Sequence, residues 1–574
     1  MPNIASGDTN QNSSILWTQS NNTGKVTFEY SKDANFSNIE GSITETVTDR
    51  TIPVKVPIHN LTPGTQYFYR VTDANNETAT GTFQTPASLG NQEGLTFGVS
   101  GDWRGELSPY PAIANADEQN LDFFVLHGDT IYADYPSPAL NKPQAETLEE
   151  YRLKHLEVYS DRFGVNTWGE LRASTSIFAT IDDHEVINDF AGGADISSDP
   201  RFKDTPGTLI NESTLYKNGL QAFQEYNPLE DRKYQDTGDR RTANKLQLYR
   251  SQTYGNDAQV IMLDNRSFRD QPLPTVSDRS DTKKIGQFLV SSFDTTRTML
   301  GEVQLNDLKN DLLMAQKNGV TWKFIMVPEP IQNLGVLFAS DRFEGYAAER
   351  SEILKFIDDN NIDNVVFVAA DIHGNLVNNL TYQLSPNSPQ IAINAFEVTT
   401  GSVAFDAPFG PSVIKLAEQL ELFTPEQIAV YKSLATNAAK DTFIQTLVNE
   451  QITPFGYDPL GLDNNLAQAN GLINAKLIKG QYVNTHTFGW TQFSIDPNTQ
   501  KLTVTTYGID PYTEAEVLAN SRTIITRKPE IINQFEVTPT QAPKPSLSLS
   551  FLFIFALLSL KFLPPMILSF FDLK

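Results

Sequence analysis

The sequence predicts an α/β protein preceded by a small all-β domain, and two patterns support this prediction. Over the first 86 residues, short alternating or apolar segments are separated by polar turn clusters, which is typical of a β-sandwich. From about Leu95 onwards, short apolar strands alternate with helical patterns, which is the signature of an α/β fold. The chain of 574 residues is also longer than a single domain usually is.

The all-β domain is predicted from four strand-like segments and the corner that follows them. The segments are 14–18, 25–30, 42–47 and 53–58. Leu61 and a Pro-Gly turn then lead into a strand in which Tyr67, Tyr69 and Val71 alternate, and a tyrosine hydroxyl would fasten this corner. The pattern resembles the fibronectin type III module, so Trp17 and Tyr69 are expected in the core.

Five apolar segments of the α/β region end at acidic or imidazole side chains. The segments are 95–100, 123–127, 177–181, 260–263 and 365–370, and they lead into Asp102, Asp129, Asp182 with Asp183 and His184, Asp264 with Arg266, and Asp371 with His373. In open α/β sheets the ligand site lies beyond the carboxyl ends of the strands. The sequence therefore predicts that these groups meet at one rim.

The remaining predicted elements show no pattern of candidate catalytic or metal-binding residues. Residues 301–316 carry the apolar stripe of a helix packed on a sheet, 411–451 read as a helical insertion, and 486–490 and 502–506 read as closing strands. A spacer rich in Pro and Thr precedes the apolar run 546–560, which is shorter than the ~20 residues of a membrane-spanning helix. We predict an N-terminal sandwich (1–86), a catalytic domain (87–530), a linker (531–545) and a hydrophobic tail (546–574) that is a membrane or sorting tail or a degenerate C-terminus.

Composition excludes several classes of protein. The chain has 44 Lys and Arg against 69 Asp and Glu, a net charge of −25, which argues against nucleic acid as the main partner. It has no cysteine, so disulfides, thiolate metal sites and cysteine nucleophiles are excluded. The first 20 residues have neither a basic nor an apolar region of the kind found in signal peptides.

Carboxylates gathered at strand ends indicate a metal site. Each aspartate alone could be a helix N-cap, but clustered carboxylates repel one another unless cations lie between them. Oxygen ligands from Asp, with one Tyr and a few His, suit Fe³⁺, Mn²⁺, Mg²⁺, Ca²⁺ or Zn²⁺.

The order of four motifs resembles the calcineurin-like metallophosphoesterase superfamily. The motifs are Gly-Asp-Trp at 101–103, Gly-Asp-Thr-Ile-Tyr at 128–132, Asp-Asp-His-Glu at 182–185 and Asp-Ile-His at 371–373. The form of the last two is similar to the PhoD-like alkaline phosphatase and phosphodiesterase family. The resemblance implies a four-layer α/β/β/α catalytic sandwich, an N-terminal domain of the PhoD type and two or more metal ions.

The resemblance also implies a role for each site residue. Asp129 would bridge two metals, and Tyr132 as a phenolate would favour Fe³⁺. The further metal ligands would be Asp102, Asp183, Asp371 and His373. His184 would protonate the leaving oxygen or stabilise the transition state, and Arg266 would clamp the phosphate unless it forms an ion pair with Asp264 or Asp270.

The implied reaction is hydrolysis of a phosphate ester by a metal-activated hydroxide. The substrate could be a monoester, a diester or both; a phospholipase D-like or cell-wall-polymer phosphodiesterase and a non-catalytic calcium-binding surface protein are the alternatives. Family relatives commonly offer a cysteine to iron and a His or Asn in a middle motif. This chain has neither where expected, and Glu329 or Asn333 could stand in the second place. Family resemblance places the protein outside the cytoplasm, with membrane association possible through the tail.

Overall fold

The computed structural model describes residues 1–202, 207–420 and 423–540. Within them, residues from Met1 to Pro539 form one compact unit. The strands, in chain order, are β1 Asn3–Gly7, β2 Ser13–Gln19, β3 Gly24–Ser31, β4 Gly41–Val47, β5 Val54–His59, β6 Gln66–Thr72, β7 Thr78–Gln84, β8 Leu95–Trp103, β9 Phe123–His127, β10 Ser176–Thr180, β11 Arg250–Tyr254, β12 Ala258–Met262, β13 Trp322–Met326, β14 Val365–Ala369, β15 Asn375–Tyr382, β16 Ile391–Thr399, β17 Ser402–Ala404, β18 Ala475–Lys479, β19 Val483–Asn484, β20 Phe488–Ile495, β21 Leu502–Ile509 and β22 Glu530–Val537.

The helices lie mainly between strands of the α/β region. They are α1 Leu148–Tyr159, α2 Thr167–Ser174, α3 Thr214–Tyr226, α4 Thr282–Ser291, α5 Glu302–Lys317, α6 Ala347–Asp359, α7 Phe409–Gln419, α8 Pro425–Ser433, α9 Asn437–Ile452, α10 Glu514–Ala519 and α11 Ser521–Ile525. The predicted helix at 301–316 is α5, and the predicted helical insertion is α7 to α9.

The strands form three sheets. The large sheet has the order β18-β22-β21-β20-β8-β9-β10-β1-β2-β5, with β17 paired to β8. The second sheet has the order β11-β12-β13-β14-β16-β15-β19, and a small sheet has the order β4-β3-β6-β7. Strands β8, β9 and β10 run parallel to one another, as do β12, β13 and β14, so the carboxyl ends of each trio lie at one edge of its sheet.

The large and second sheets pack face to face, because alternate residues of their strands are large and apolar. At the centre, the ring of Phe97 on β8 stacks on Phe123 at 4.7 Å and on Phe493 at 4.9 Å, and meets Phe324 on β13 edge-on at 5.0 Å. All of these rings belong to one buried cluster between the sheets.

Helices cover the outer face of each of these sheets. Helices α1, α2 and α3 contribute to the buried cluster on the large sheet, and α5 and α6 contribute to the one on the second sheet. The result is four layers in the order α/β/β/α, which confirms the predicted fold class.

The N-terminal strands form a β-sandwich, but one of its two layers belongs to the large sheet. β1 pairs in parallel with β10, at Ser6 with Ser176 and Gly7 with Ile177, and β2 and β5 continue the sheet from there. The small sheet packs on these strands through a buried apolar cluster. Trp17 and Tyr69 are fully buried as expected, and the Thr62 N–H donates to the Tyr67 hydroxyl at 2.9 Å, which fastens the corner.

The predicted linker starts too early. β22 pairs along its length with β21, and Phe535 and Val537 are buried in the inner core, so residues 530–537 belong to the large sheet. Alternate apolar residues in a segment otherwise polar produce this strand. The predicted hydrophobic tail, 546–574, lies outside the described residues. Within the part that the structure describes, no helix combines the length and apolarity needed to cross a membrane.

Candidate metal centre

The candidate site lies at the carboxyl ends of the parallel strands, where the sequence places it. Four of its side chains are carried on backbone in the left-handed region: Asp102 (φ 63°), Asp129 (φ 50°), Asp371 (φ 65°) and His373 (φ 58°). Non-glycine residues in this region cost ~1–3 kcal/mol each and cluster at functional sites, where the surrounding structure holds them. The strand ends are therefore shaped to aim these groups into the site.

Asp102, Tyr132 and His373 come together although Asp102 lies at the end of β8, Tyr132 follows β9 and His373 follows β14. The Asp102 Oδ1 atom lies 3.2 Å from His373 Nε2 and 3.4 Å from the Tyr132 hydroxyl. The other carboxylate oxygen, Oδ2, is buried and has no hydrogen-bond partner among the described residues. A buried carboxylate oxygen without a donor is costly, and a bound cation would satisfy it.

Asp129 lies in the middle of the cluster. The Tyr132 hydroxyl donates to its Oδ2 at 2.9 Å, and the backbone N–H of His184 donates to its Oδ1 at 3.3 Å. Burial raises the pKa of Asp129 well above its usual range, and the carboxylates of Asp183 and Asp182 raise it further. Burial, followed by Asp129 and Asp102, likewise raises the pKa of Tyr132 well above 10.

His184 is held between two carboxylates. Its Nδ1 lies 2.7 Å from Asp134 Oδ1, and its Nε2 lies 3.8 Å from Asp183 Oδ1. Burial acts to lower the pKa of His184, but Asp183 and Asp134 outweigh it and raise the pKa to about 10. The two carboxylates therefore favour the protonated imidazole, the form that can give a proton. Asp134 was not among the predicted site residues, and its place two residues after Tyr132 is the signal that could have found it.

Arg266 is fully buried and surrounded by carboxylates. Its Nε lies 2.5 Å from Asp182, its two terminal nitrogens lie 2.9 Å from Asp341, and it also pairs with Glu329. Its guanidinium does not form the alternative ion pair with Asp264 or Asp270; Asp264 Oδ1 instead accepts the backbone N–H of Arg266 at 3.1 Å. In this structure the guanidinium contacts the carboxylates of Asp182, Asp341 and Glu329. Its contact with a substrate phosphate stays a prediction.

Glu329 does not stand among the candidate ligands. Its carboxylate, fully buried, pairs with Arg266 and with Arg269 at 2.7 Å. Asn333, the other residue considered for the middle motif, is only half-buried. Glu329 thus acts on the site through the two arginines.

Two further carboxylates that the sequence did not predict, Asp189 and Asp341, lie near Asp183. Ligand atoms of Asp183, Asp189 and Asp341 all lie within 4.8 Å of one another. The Asp189 N–H donates to Asp183 Oδ2 at 2.6 Å. Asp189 follows the Asp-Asp-His-Glu motif closely and could have been found; Asp341 lies in a segment without a motif.

Glu185 and His127 hold the scaffold of the site. Glu185 accepts the N–H and the hydroxyl of Thr130 at 2.6 and 2.7 Å, and the N–H of Asp182 at 2.9 Å, so it ties the β9 and β10 loops together. His127 Nε2 lies 2.8 Å from Val368 O and 3.1 Å from Val327 O, which joins the two sheets. His127 therefore packs rather than lines the site.

The residues present fit bound cations. Ligand atoms of Asp129, Asp183 and His184 lie within 4.8 Å of one another, and the unpaired Asp102 Oδ2 faces no donor in the described part of the chain. Burial, with Asp182, also raises the pKa of Asp371 well above its usual range, although Arg266 opposes this. Such an array repels itself when ionised and is relieved by divalent or trivalent cations.

Comparisons with known proteins agree with this geometry. The family model of the PhoD-like phosphatases matches residues 98–438, and the model of their N-terminal domain matches residues 2–87. Alkaline phosphatase D of Bacillus subtilis (strain 168) is 28% identical over 422 residues, which cover 68% of this chain and 67% of that protein. The larger family match contains every candidate site residue.

The fold is shared with a solved structure. A structure of PhoD superposes with a TM-score of 0.64 at 20% identity and covers 95% of this chain and 92% of that one. A purple acid phosphatase from yellow lupin (Lupinus luteus) seeds has a TM-score of 0.46 at 10% identity and covers 88% of this chain and 71% of that one.

Proposed function

We propose how this site hydrolyses phosphate esters. The chain belongs to the PhoD-like phosphatase family and is therefore a metal-dependent phosphoester hydrolase. The observation that carries the proposal is the convergence of Asp129, Tyr132 and His373: the Tyr132 hydroxyl donates to Asp129 Oδ2 at 2.9 Å, and His373 Nε2 and the Tyr132 hydroxyl lie 3.2 and 3.4 Å from Asp102 Oδ1. These groups lie beside Asp102, whose Oδ2 is buried without a partner among the described residues.

The metal ions would be held by residues from several strand ends. They are Asp102, Asp129, Tyr132, Asp183, Asp371 and His373. Bound cations would supply Lewis acidity and lower the pKa of a water near the scissile phosphate. Asp129 would be the ligand shared by two ions, since its carboxylate has two oxygens; in this structure these accept from the Tyr132 hydroxyl and from the backbone N–H of His184.

His184 would act on the leaving group. The 2.7 Å contact of its Nδ1 with Asp134 fixes the ring and leaves Nε2 on the side of Asp183. A cationic imidazole so held can protonate the departing ester oxygen or stabilise its charge. Its pairing with a dedicated carboxylate disfavours the alternative of a structural calcium protein, because such a site needs no oriented imidazole.

The metals proposed are Fe³⁺ and Ca²⁺, with Mn, Mg or Zn as substitutes. Tyr132 favours iron, because a phenolate is a hard, anionic oxygen ligand that Fe³⁺ would stabilise. The absence of cysteine leaves oxygen and imidazole ligands alone in the site, which suits Ca²⁺ as well. Metal analysis of the purified protein, with a visible absorption band from Tyr132 and Fe³⁺, tests this assignment.

The substrate class proposed is a phosphate monoester, with diesters second. The name of the Bacillus subtilis relative, alkaline phosphatase D, supports the monoester. A phospholipase D-like or cell-wall-polymer phosphodiesterase remains the second candidate. Family resemblance also supports a location outside the cytoplasm, which cell fractionation tests.

The experiment compares hydrolysis of nitrophenyl phosphate with that of bis-nitrophenyl phosphate. The protein is treated with a chelator, and single metals are then added back. We expect activity that depends on metal and is lost in Asp129→Asn, whereas Asp49→Asn, an exposed carboxylate of the N-terminal region, keeps wild-type activity. If wild type and Asp129→Asn are equally inactive with every metal, the proposal fails.

A further inference from the structure

We propose that residues 404–409, called the strap here, are a positioning element that holds Tyr132 and His373 in their metal-binding arrangement. The strap runs from Ala404, the last residue of β17, to Phe409, the first residue of α7. The inference rests on the proposed metal site and extends it to side chains that touch no metal.

Phe405 lies against both candidate ligands. Its ring centroid is 3.8 Å from that of His373 and 5.1 Å from that of Tyr132. Tyr132 follows β9 of the large sheet and His373 follows β14 of the second sheet, so one ring contacts ligands from both sheets. Both ligands also meet Asp102 Oδ1, so they lie between a carboxylate and the Phe405 ring.

The strap also holds the backbone of His373. The Phe409 N–H donates to His373 O at 2.9 Å. A Cβ atom at Gly374 would lie 2.8 Å from the Phe409 Cβ, so only glycine permits this approach. Because His373 has a φ of 58°, a conformation that a histidine leaves readily, the hydrogen bond and the packing are what keep the loop in place.

An ion pair fastens the exposed side of the strap. Asp406 Oδ1 lies 3.0 Å from Arg104 Nη1. The Asp406 side chain is 69% exposed, and the Arg104 side chain is 9% exposed. The Arg104 N–H donates to Ala404 O at 3.1 Å, and its guanidinium lies 4.4 Å from the centroid of the Tyr135 ring. Arg104 comes two residues after Asp102, so the strap is tied to the loop of a further ligand.

A buried polar network fastens the other end. The Gly410 N–H donates to Thr485 O at 2.9 Å, and a Cβ atom at Gly410 would lie 2.5 Å from the His486 ring. His486 lies 2.6 Å from Asp441 through Nδ1 and 2.7 Å from the Tyr431 hydroxyl through Nε2. The helical insertion α7 to α9 therefore anchors the strap.

The test is the affinity for Mn²⁺ of the metal-stripped full chain, measured by calorimetric titration without substrate. Groups that orient metal ligands typically contribute 10–100-fold to affinity. We expect Phe405→Leu, which removes the ring, to weaken Mn²⁺ binding about tenfold or more, and Phe405→Tyr, which keeps the ring, to bind as wild type does. The matched control is Phe356→Leu, a half-buried ring on α6 of the outer layer, which should leave the affinity unchanged.

The outcomes separate this inference from the proposed function. Wild-type Mn²⁺ affinity in Phe405→Leu, or an equal loss in Phe356→Leu, overturns the strap while wild-type hydrolysis still supports the enzyme. Weakened binding in Phe405→Leu alone, with melting temperatures of the stripped variants alike, supports the strap even if neither ester is hydrolysed. Failure of the wild type to bind Mn²⁺ overturns the strap inference, whereas the add-back of the other metals in the hydrolysis assay still decides the proposed function.

Discussion

At the scale of single residues, the environment of His184 favours its protonated form but leaves open two roles, proton donation to the leaving group and stabilisation of charge in the transition state. A proton donor matters most when the leaving group is a poor one, whereas stabilisation of charge on the phosphoryl group matters for any leaving group. The cationic state imposed by Asp183 and Asp134 is compatible with both roles. Only a comparison of leaving groups separates them.

We expect His184→Gln to lower kcat/KM for phenyl phosphate by about 10²–10⁴-fold, the range of general acid catalysis, and that for nitrophenyl phosphate by clearly less. The reason is that nitrophenolate departs without a proton. His59→Gln, at an exposed histidine, serves as the control. An equal loss on both substrates contradicts proton donation and supports stabilisation of charge.

The pH profile gives a second measure of the same contact. Asp134 raises the pKa of His184, so Asp134→Asn should lower it. Since the acid form is the active one, the alkaline limb of the kcat profile should move to lower pH in Asp134→Asn. A profile that keeps its alkaline limb, measured by initial rates between pH 6 and 11, would show that another group limits activity there.

His155 makes stability depend on pH independently of the site. It is fully buried, stacks on Tyr226 at 5.2 Å, and burial lowers its pKa to about 3. The unfolded chain therefore binds its proton near pH 6.5 and the folded chain does not, so stability is present above pH 6.5 and is lost as the pH falls. Between pH 7 and pH 5 this amounts to about 2 kcal/mol.

We expect His155→Phe to lose less stability than wild type between pH 7 and pH 5, by about 2 kcal/mol. Urea unfolding at the two pH values measures the difference directly. The exposed His59→Gln should behave as wild type. The same pH dependence in His155→Phe and wild type would mean that His155 is solvated in the folded chain.

At the scale of elements, the packing of α3 positions the loop that carries His184. A Cβ atom at Gly219 would lie 2.5 Å from Glu185 O and 3.2 Å from the Val186 side chain. Glu185 in turn receives the N–H and hydroxyl of Thr130 next to Asp129. A shift of α3 at Gly219 would therefore displace the backbone of the loops that carry His184 and Asp129.

We expect Gly219→Ala to destabilise the protein by about 1–3 kcal/mol, because a backbone oxygen cannot move aside, and to lower kcat. Gly286→Ala in α4 is the matched control: nothing lies within 4 Å of the added Cβ, and alanine gains helix propensity there. Urea unfolding and initial rates test both. A Gly219→Ala variant as stable and active as Gly286→Ala would contradict this role of α3.

Some elements could be predicted because their residues alone decide them. The apolar run of β9 is flanked by polar residues, and its observed bounds, Phe123–His127, are those predicted. Strand β22 was not predicted, because Phe535 and Val537 alternate with polar neighbours. This segment forms a strand by pairing with β21. The partners Glu329 and Asp341 of Arg266 come from irregular loops, whose course no periodicity indicates.

At the scale of the whole molecule, the sequence indicates two modules but not the way in which they join. The parallel pairing of β1 with β10 makes the N-terminal strands part of the large sheet, and such a long-range contact has no local signal. Asp8, which follows β1, also pairs with Arg250 on β11 of the second sheet at 2.9 Å, with side chains 1% and 4% exposed. The N-terminal strands and both large sheets should therefore unfold together.

We expect Asp8→Ala to destabilise the protein by about 3–5 kcal/mol, because it leaves the buried Arg250 charge uncompensated. Removal of the exposed partner in the Lys355–Asp359 pair, by Asp359→Ala, should change stability by less than about 1 kcal/mol. Hydrogen exchange in increasing urea, followed by mass spectrometry, reports peptides from β2 and β10 separately. Asp8→Ala should lower the protection of both peptides by the same amount, because both belong to one cooperative sheet. If the β2 peptide alone loses protection, the sandwich opens by itself and the two modules are only docked.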